Sequence, residues 1–148
     1  MIAGTPRCWV RRVLPHPHES TAARLSRPAL TRRRLSNNPG MSTPKHYLRE
    51  TEAPTRAEVD ALPGLTLLEF GADWCGHCRA AQPALAEVLP QHPQWRHLKV
   101  EDGQGRPLGR SYRVKLWPTL VLLRDGQEVA RLVRPAQAAD ILAALSAA

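Results

Sequence analysis

The stretch EFGADWCGHCRAAQP, residues 69–83, sets two cysteines, Cys75 and Cys78, two residues apart. Trp74 precedes the pair and Gly76-His77 separates it. The preceding run LTLLEF (Leu65–Phe70) is mostly apolar, which predicts a short strand buried on both faces. Beyond the pair, Cys78, Ala81, Leu85, Val88 and Leu89 recur at helical spacing, so a helix is expected from about Cys75 to Leu89. Pro83 is expected to kink that helix, because its ring displaces the carbonyl four residues back. Pro90 and Pro93 then close it. A CxxC at such a junction sets Cys75 against unpaired backbone N–H groups and the positive end of the helix macrodipole. Both favour the thiolate, which is the nucleophilic form. Cys78 falls about one turn further on, within reach of a disulfide. The spacing therefore predicts one sulfur exposed at the helix tip, suited to attack, and a second turned inward, suited to resolution.

Two other uses of the cysteines compete with thiol exchange. A metal site needs two more ligands, and the third cysteine, Cys8, and the histidines at 16, 18, 46, 92 and 97 show no paired zinc spacing. A purely structural disulfide over three residues closes almost no loop and gains little entropy. Redox exchange is the better reading; metal carriage predicts bound zinc or copper.

Outside this stretch the chain divides by charge. Of the net +8 over 148 residues, residues 1–40 carry eight Arg and one acid, Glu19, or +7. Residues 41–148 carry thirteen Lys and Arg against twelve acids, or +1. The basicity thus belongs to the leader, and a nearly neutral body argues against a nucleic-acid partner. No apolar run approaches the ~20 residues that span a bilayer, and no membrane partner is expected. Five prolines and the run TRRRL leave residues 1–40 without an apolar period, so a disordered basic leader is expected there. It reads as a mitochondrial import segment, as a basic arm, or as sequence ahead of a true start at Met41; the last is taken here. Three cysteines are too few for a disulfide scaffold, which points to a reducing, cytoplasmic setting, or a mitochondrial one if the leader is a targeting segment.

The body, residues 41–148, reads as one globular domain. TRAEVDAL (Thr55–Leu62) predicts a short helix with a Thr55–Glu58 capping box. WRHLKV (Trp95–Val100) reads as a strand, and a weak helix follows near Leu108–Tyr112. TLVLL (Thr119–Leu123) reads as a central strand, and Asp125-Gly126 as a hairpin turn into EVARLV (Glu128–Val133). Pro135 opens a last helix with Ala138, Ile141, Leu142 and Leu145 on one face. The order βαβα, then ββα, means an α/β architecture with a mixed sheet covered by helices.

WCGHC after a buried strand, Pro83 five residues past Cys78, WPT at Trp117–Thr119 and the RDG hairpin together resemble thioredoxin over roughly residues 50–147. The resemblance implies the thioredoxin fold, a central mixed sheet flanked by helices, and thiol–disulfide oxidoreductase activity. It implies a cis Pro118 packed against the disulfide, with the backbone before it offered to an extended substrate and Trp117 and Thr119 beside it. It also implies that Glu69 stands where the family carries a buried Asp. Without a partner, a carboxylate there has its pKa raised by desolvation, which suits it to take the proton from Cys78. Lys99 matches the family's lysine near this acid. Gly76 and Trp74 belong to the motif, and His77 matches the CGHC of protein disulfide isomerases, where an imidazole adds positive charge or a hydrogen bond near Cys75. Trp117 departs from the family's smaller aliphatic residue, and Arg134-Pro135 from its groove glycine.

The function expected is reduction of protein disulfides by a Cys75–Cys78 dithiol/disulfide couple. No bound cofactor is expected, and the partners are disulfide-containing proteins and an upstream reductase or thiol reductant. A monomer is expected. The CGHC pair keeps oxidation or isomerisation open, and a binding or chaperone module with incidental cysteines is the reading from another class.

Overall fold

The computed structural model describes residues 44–148. The leader, the Met41 start and the domain boundary at 40/41 lie outside the described residues. The elements in chain order are α1 (Arg56–Asp60), β1 (Leu65–Gly71), α2 (Gly76–Val88), a 3₁₀ turn (Leu89–Gln91), β2 (Trp95–Glu101), α3 (Pro107–Ser111), β3 (Thr119–Arg124), β4 (Gln127–Val133) and α4 (Ala138–Ala147). The four strands form one sheet in the order β2-β1-β3-β4. β1 runs parallel to β2 and antiparallel to β3, and β3 runs antiparallel to β4. This mixed sheet with helices packed on it is the thioredoxin fold.

The apolar runs explain the strand order. β1 and β3 are buried along almost their whole length, so they occupy the centre, where both faces need apolar side chains. β4 is largely exposed and sits at an edge. On one face Leu67, Leu120 and Leu122 meet Leu85 and Val88 of α2 and Ile141 and Leu145 of α4. Residues of opposite parity point the other way, and there Phe70 meets Tyr112, with ring centroids 5.6 Å apart. Burying a Leu or Val fully is worth about 1.5–3 kcal/mol, so this two-sided core fixes where the end of β1 points.

Local signals set the boundaries. Thr55 caps α1, accepting from the Glu58 N–H while the Glu58 carboxylate accepts from the Thr55 N–H at 2.7 Å, the reciprocal pair expected. Asp125 (φ 50°) and Gly126 (φ 77°) turn β3 into β4. Gly126 is needed twice over, since a Cβ there would also lie 2.0 Å from the Asp60 carbonyl oxygen. The outer edge of β2 is occupied by the segment before α1: Leu48 bridges to Val100, its N–H bonding the Lys99 carbonyl and its carbonyl the Glu101 N–H, each at 2.9 Å.

Two expectations about the last helix need correcting. α4 begins at Ala138, not at Pro135, because Arg134 takes a left-handed φ of 53° and Gln137 is still extended. Leu142 is exposed, whereas Ala138, Ile141 and Leu145 turn inward. α2 runs from Gly76 to Val88 with Pro83 inside it.

Candidate active site

β1 ends at Gly71, and four residues later Cys75 becomes the N-cap of α2. Its sulfur accepts a hydrogen bond from the Cys78 N–H at 3.3 Å, one of the donors a helix start leaves unpaired. Gly76, the first residue of α2, is exposed, and a Cβ there would touch nothing within 4 Å. Cys78 is 1% exposed and Cys75 is 8% exposed. Cys75 is thus less open than expected for a helix tip. Its sulfur faces back to α2, and Trp117 packs against the cluster it forms with Tyr47, Ala72 and Cys78. Both cysteines are free thiols. Burial first, and then its hydrogen bond with Cys75, push the Cys78 thiol up to about 11 from its ordinary 9.0.

The loop before β3 closes the site from the side. The Trp117–Pro118 peptide is cis. The Trp117 indole N–H donates to the Asp102 carboxylate at 2.8 Å, and Thr119 Oγ1 donates to the Leu116 carbonyl at 2.7 Å. Trp74 is 71% exposed and meets Trp117 edge-on, with centroids 5.7 Å apart at 80°. Arg134, where the resemblance places a glycine, donates from its backbone N–H to the Pro118 carbonyl at 2.8 Å and from Nε to the Trp117 carbonyl at 3.1 Å. His77 is exposed, and the hydrogen bond on the Cys75 sulfur comes from the backbone rather than from its imidazole.

Behind Cys78 lies a buried polar cluster. Glu69 is fully buried, but it is not the partnerless acid that would have a raised pKa. Its Oε1 accepts from the Tyr47 hydroxyl and from Gln82 Nε2 (2.8 Å), and its Oε2 from His97 Nε2 (2.8 Å). Burial pushes its carboxyl up, yet the His97 contact, the Tyr47 hydrogen bond and the Lys99 charge outweigh burial and hold it below the ordinary carboxylate value. Lys99 pairs with Glu69 in register, but its ammonium donates to Gln82 Oε1 at 2.9 Å and lies 4.4 Å from the Tyr47 ring centroid. Tyr47, Gln82 and His97 were not singled out from the sequence as site residues. Gln82 stands one turn after Cys78, and His97 alternates with Lys99 along β2, so both were within reach of pattern reasoning. Tyr47 lies ahead of every element and carried no such signal. Among the described residues, no three His, Cys, Asp or Glu side chains gather as metal ligands.

Fold and site together define a thioredoxin-fold protein with a dithiol at a helix start beside a cis proline. The thioredoxin family model matches residues 48–147, and the chain belongs to that family. It is 42% identical over 71 residues to a thioredoxin of Chlamydia trachomatis, covering 47% of this chain and 69% of that one. It is 35% identical over 69 residues to an H-type thioredoxin of Fagopyrum esculentum, covering 47% of this chain but only 60% of the relative's length. Among solved structures, reduced thioredoxin 2 of Pseudomonas aeruginosa PAO1 is 60% identical, with a TM-score of 0.62 over 72% of this chain and 94% of that one.

Proposed function

We propose that this protein is a thiol–disulfide oxidoreductase that reduces disulfides of other proteins through Cys75 and Cys78. One observation carries the reading: Cys75 caps α2 with a backbone N–H on its sulfur, while Cys78 sits buried one turn below. The Cys75 thiolate attacks a substrate S–S bond, forming a mixed disulfide and releasing the first substrate thiolate. Cys78 then attacks the Cys75 sulfur, the second substrate thiolate leaves, and the Cys75–Cys78 disulfide remains. Two electrons pass from the dithiol to the substrate. The Cys78 proton must leave during the second step, because burial raises the Cys78 thiol and disfavours its ionised form.

The reducing direction is favoured by sparse cysteines, which suit a cytoplasm where a thiol reductant or reductase regenerates the dithiol. The 60%-identical P. aeruginosa protein was solved in its reduced form. The test is insulin reduction by dithiothreitol. The protein is expected to accelerate it, Cys75→Ser to add nothing, and Cys78→Ser to accumulate a mixed disulfide. No difference between the parent and Cys75→Ser would refute the reading. Equilibration with glutathione tests the direction: a potential near about −270 mV supports a reductase, and one near about −180 mV an oxidant.

A further inference from the structure

The segment that latches onto β2 carries a residue with no part in the reaction above. Tyr47 is buried beside Leu48, and its hydroxyl donates to Glu69 Oε1. A Cβ on Gly71 would lie 2.6 Å from Cys78 Sγ and 2.7 Å from the Tyr47 oxygen, so both atoms crowd the space that only glycine leaves open. Tyr47 and Cys78 pack in one buried cluster with Ala72 and Cys75. The phenol O–H thus donates to a buried carboxylate, while its oxygen faces the same space as the S–H of the resolving cysteine, which can donate to it.

We infer that Tyr47 is a catalytic residue of the resolving step, passing the Cys78 proton to Glu69 through its hydroxyl. This rests on the dithiol reading above. As the Cys78 sulfur bonds to Cys75, its S–H proton moves to the Tyr47 oxygen while the Tyr47 proton moves to Glu69 Oε1. The Cys75–substrate S–S bond breaks, and the substrate leaves as a thiolate. Afterwards Glu69 carries the proton and the phenol is again neutral.

Every group around the phenol fits this part. Burial, and then the Glu69 charge, raise Tyr47 above the ordinary phenol range, so it relays a proton without existing as a phenolate. Glu69, held below the ordinary carboxylate value, is a poor base towards a resting thiol. A thiol becomes strongly acidic as its sulfur forms the new bond, and the Glu69 carboxylate then accepts the proton in the transition state. His97 and Gln82 hold the carboxylate in place, and Lys99 lies over the Tyr47 ring. A cleft of about 360 Å³ lined by Lys45, Tyr47, Asp73, Cys78, Gln82 and Lys99 opens beside the phenol and the Cys78 thiol.

Stopped-flow mixing of the reduced full chain, carrying Cys8→Ser, with 5,5′-dithiobis(2-nitrobenzoate) separates the steps. Attack by Cys75 releases the first nitrothiobenzoate, and resolution by Cys78 releases the second. Tyr47→Phe is expected to leave the first phase within about twofold and to slow the second by roughly a hundredfold near neutral pH, the usual scale for a positioned acid–base group. In the variant the second phase should rise about tenfold per pH unit, as free thiolate takes over, while the parent stays nearly flat. Glu69→Gln should behave alike, and it carries the test if Tyr47→Phe does not fold. A second phase that is unchanged, or slowed by one factor at every pH, overturns the relay and leaves the dithiol chemistry standing. A parent with no second phase overturns both.

Discussion

Gly71→Ala places one methyl group where the structure has no room. The new Cβ would lie 2.6 Å from Cys78 Sγ, 2.7 Å from the Tyr47 hydroxyl oxygen and 2.9 Å from Tyr47 Cζ. Comfortable contacts of this kind need about 3.5–4.0 Å, so thiol and phenol must each retreat by about 1 Å. Overpacking of this sort costs about 1–3 kcal/mol. A phenol pushed off Glu69 also forfeits a hydrogen bond to a charged group, about 1.5–3 kcal/mol more. The stiffer unfolded chain returns about 0.4–1 kcal/mol. The net loss is therefore about 2–5 kcal/mol, a large part of a small domain's stability. Urea unfolding at fixed m-value reads it directly. Gly76→Ala is the matched control, since its Cβ would meet nothing within 4 Å and it should gain no more than the same amount, about 0.4–1 kcal/mol, from the stiffer unfolded chain. If Gly71→Ala proves as stable as the control, Cys78 and Tyr47 do not converge over residue 71, and the account of this cluster fails.

Three further outcomes are expected. Because folding lowers the Glu69 pKa, its contribution is present above the ordinary 4.5 and lost as pH falls through the folded value; urea unfolding between about pH 3 and 7 should decline more steeply for the parent than for Glu69→Gln. Folding raises Cys78 from 9.0 to about 11, so that stabilisation is full well below pH 9.0 and fades between 9.0 and about 11; the parent should lose about 2 kcal/mol more than Cys78→Ala across that window, and parallel curves would contradict it. Thr55→Ala removes one half of the α1 capping box and should cost about 1 kcal/mol in calorimetry, with no loss meaning that α1 holds by packing alone.

Much of the scaffold was legible because its signals are local. The apolar runs at Leu65–Phe70 and Thr119–Leu123 read as buried strands and lie at the centre of the sheet, and Asp125-Gly126, a hairpin signal, makes the turn between β3 and β4. The placement of Cys75 at a helix start followed from an apolar strand running straight into a helical period. The buried cluster was not legible, because register decides it. Glu69 could be read as buried, but its donors come from β2, from α2 and from a segment ahead of α1, and a one-residue slip of any strand would turn them away. That is why its pKa moves opposite to the expectation for a lone buried acid. The start of α4 was misplaced for a related reason: Pro135 is a permitted first residue of a helix, but the left-handed Arg134 is committed to the carbonyls around Pro118.

The Leu48 bridge lies at the margin of what family likeness covers, since the match begins at residue 48. A protein trimmed to residues 48–147 would keep the sheet, both thiols and the bent proline loop, and would pass inspection as an intact member of its class. It would lack the one aromatic hydroxyl poised over the second sulfur. Such a truncation should still capture a target covalently yet let go of it slowly, turning an exchanger into a snare.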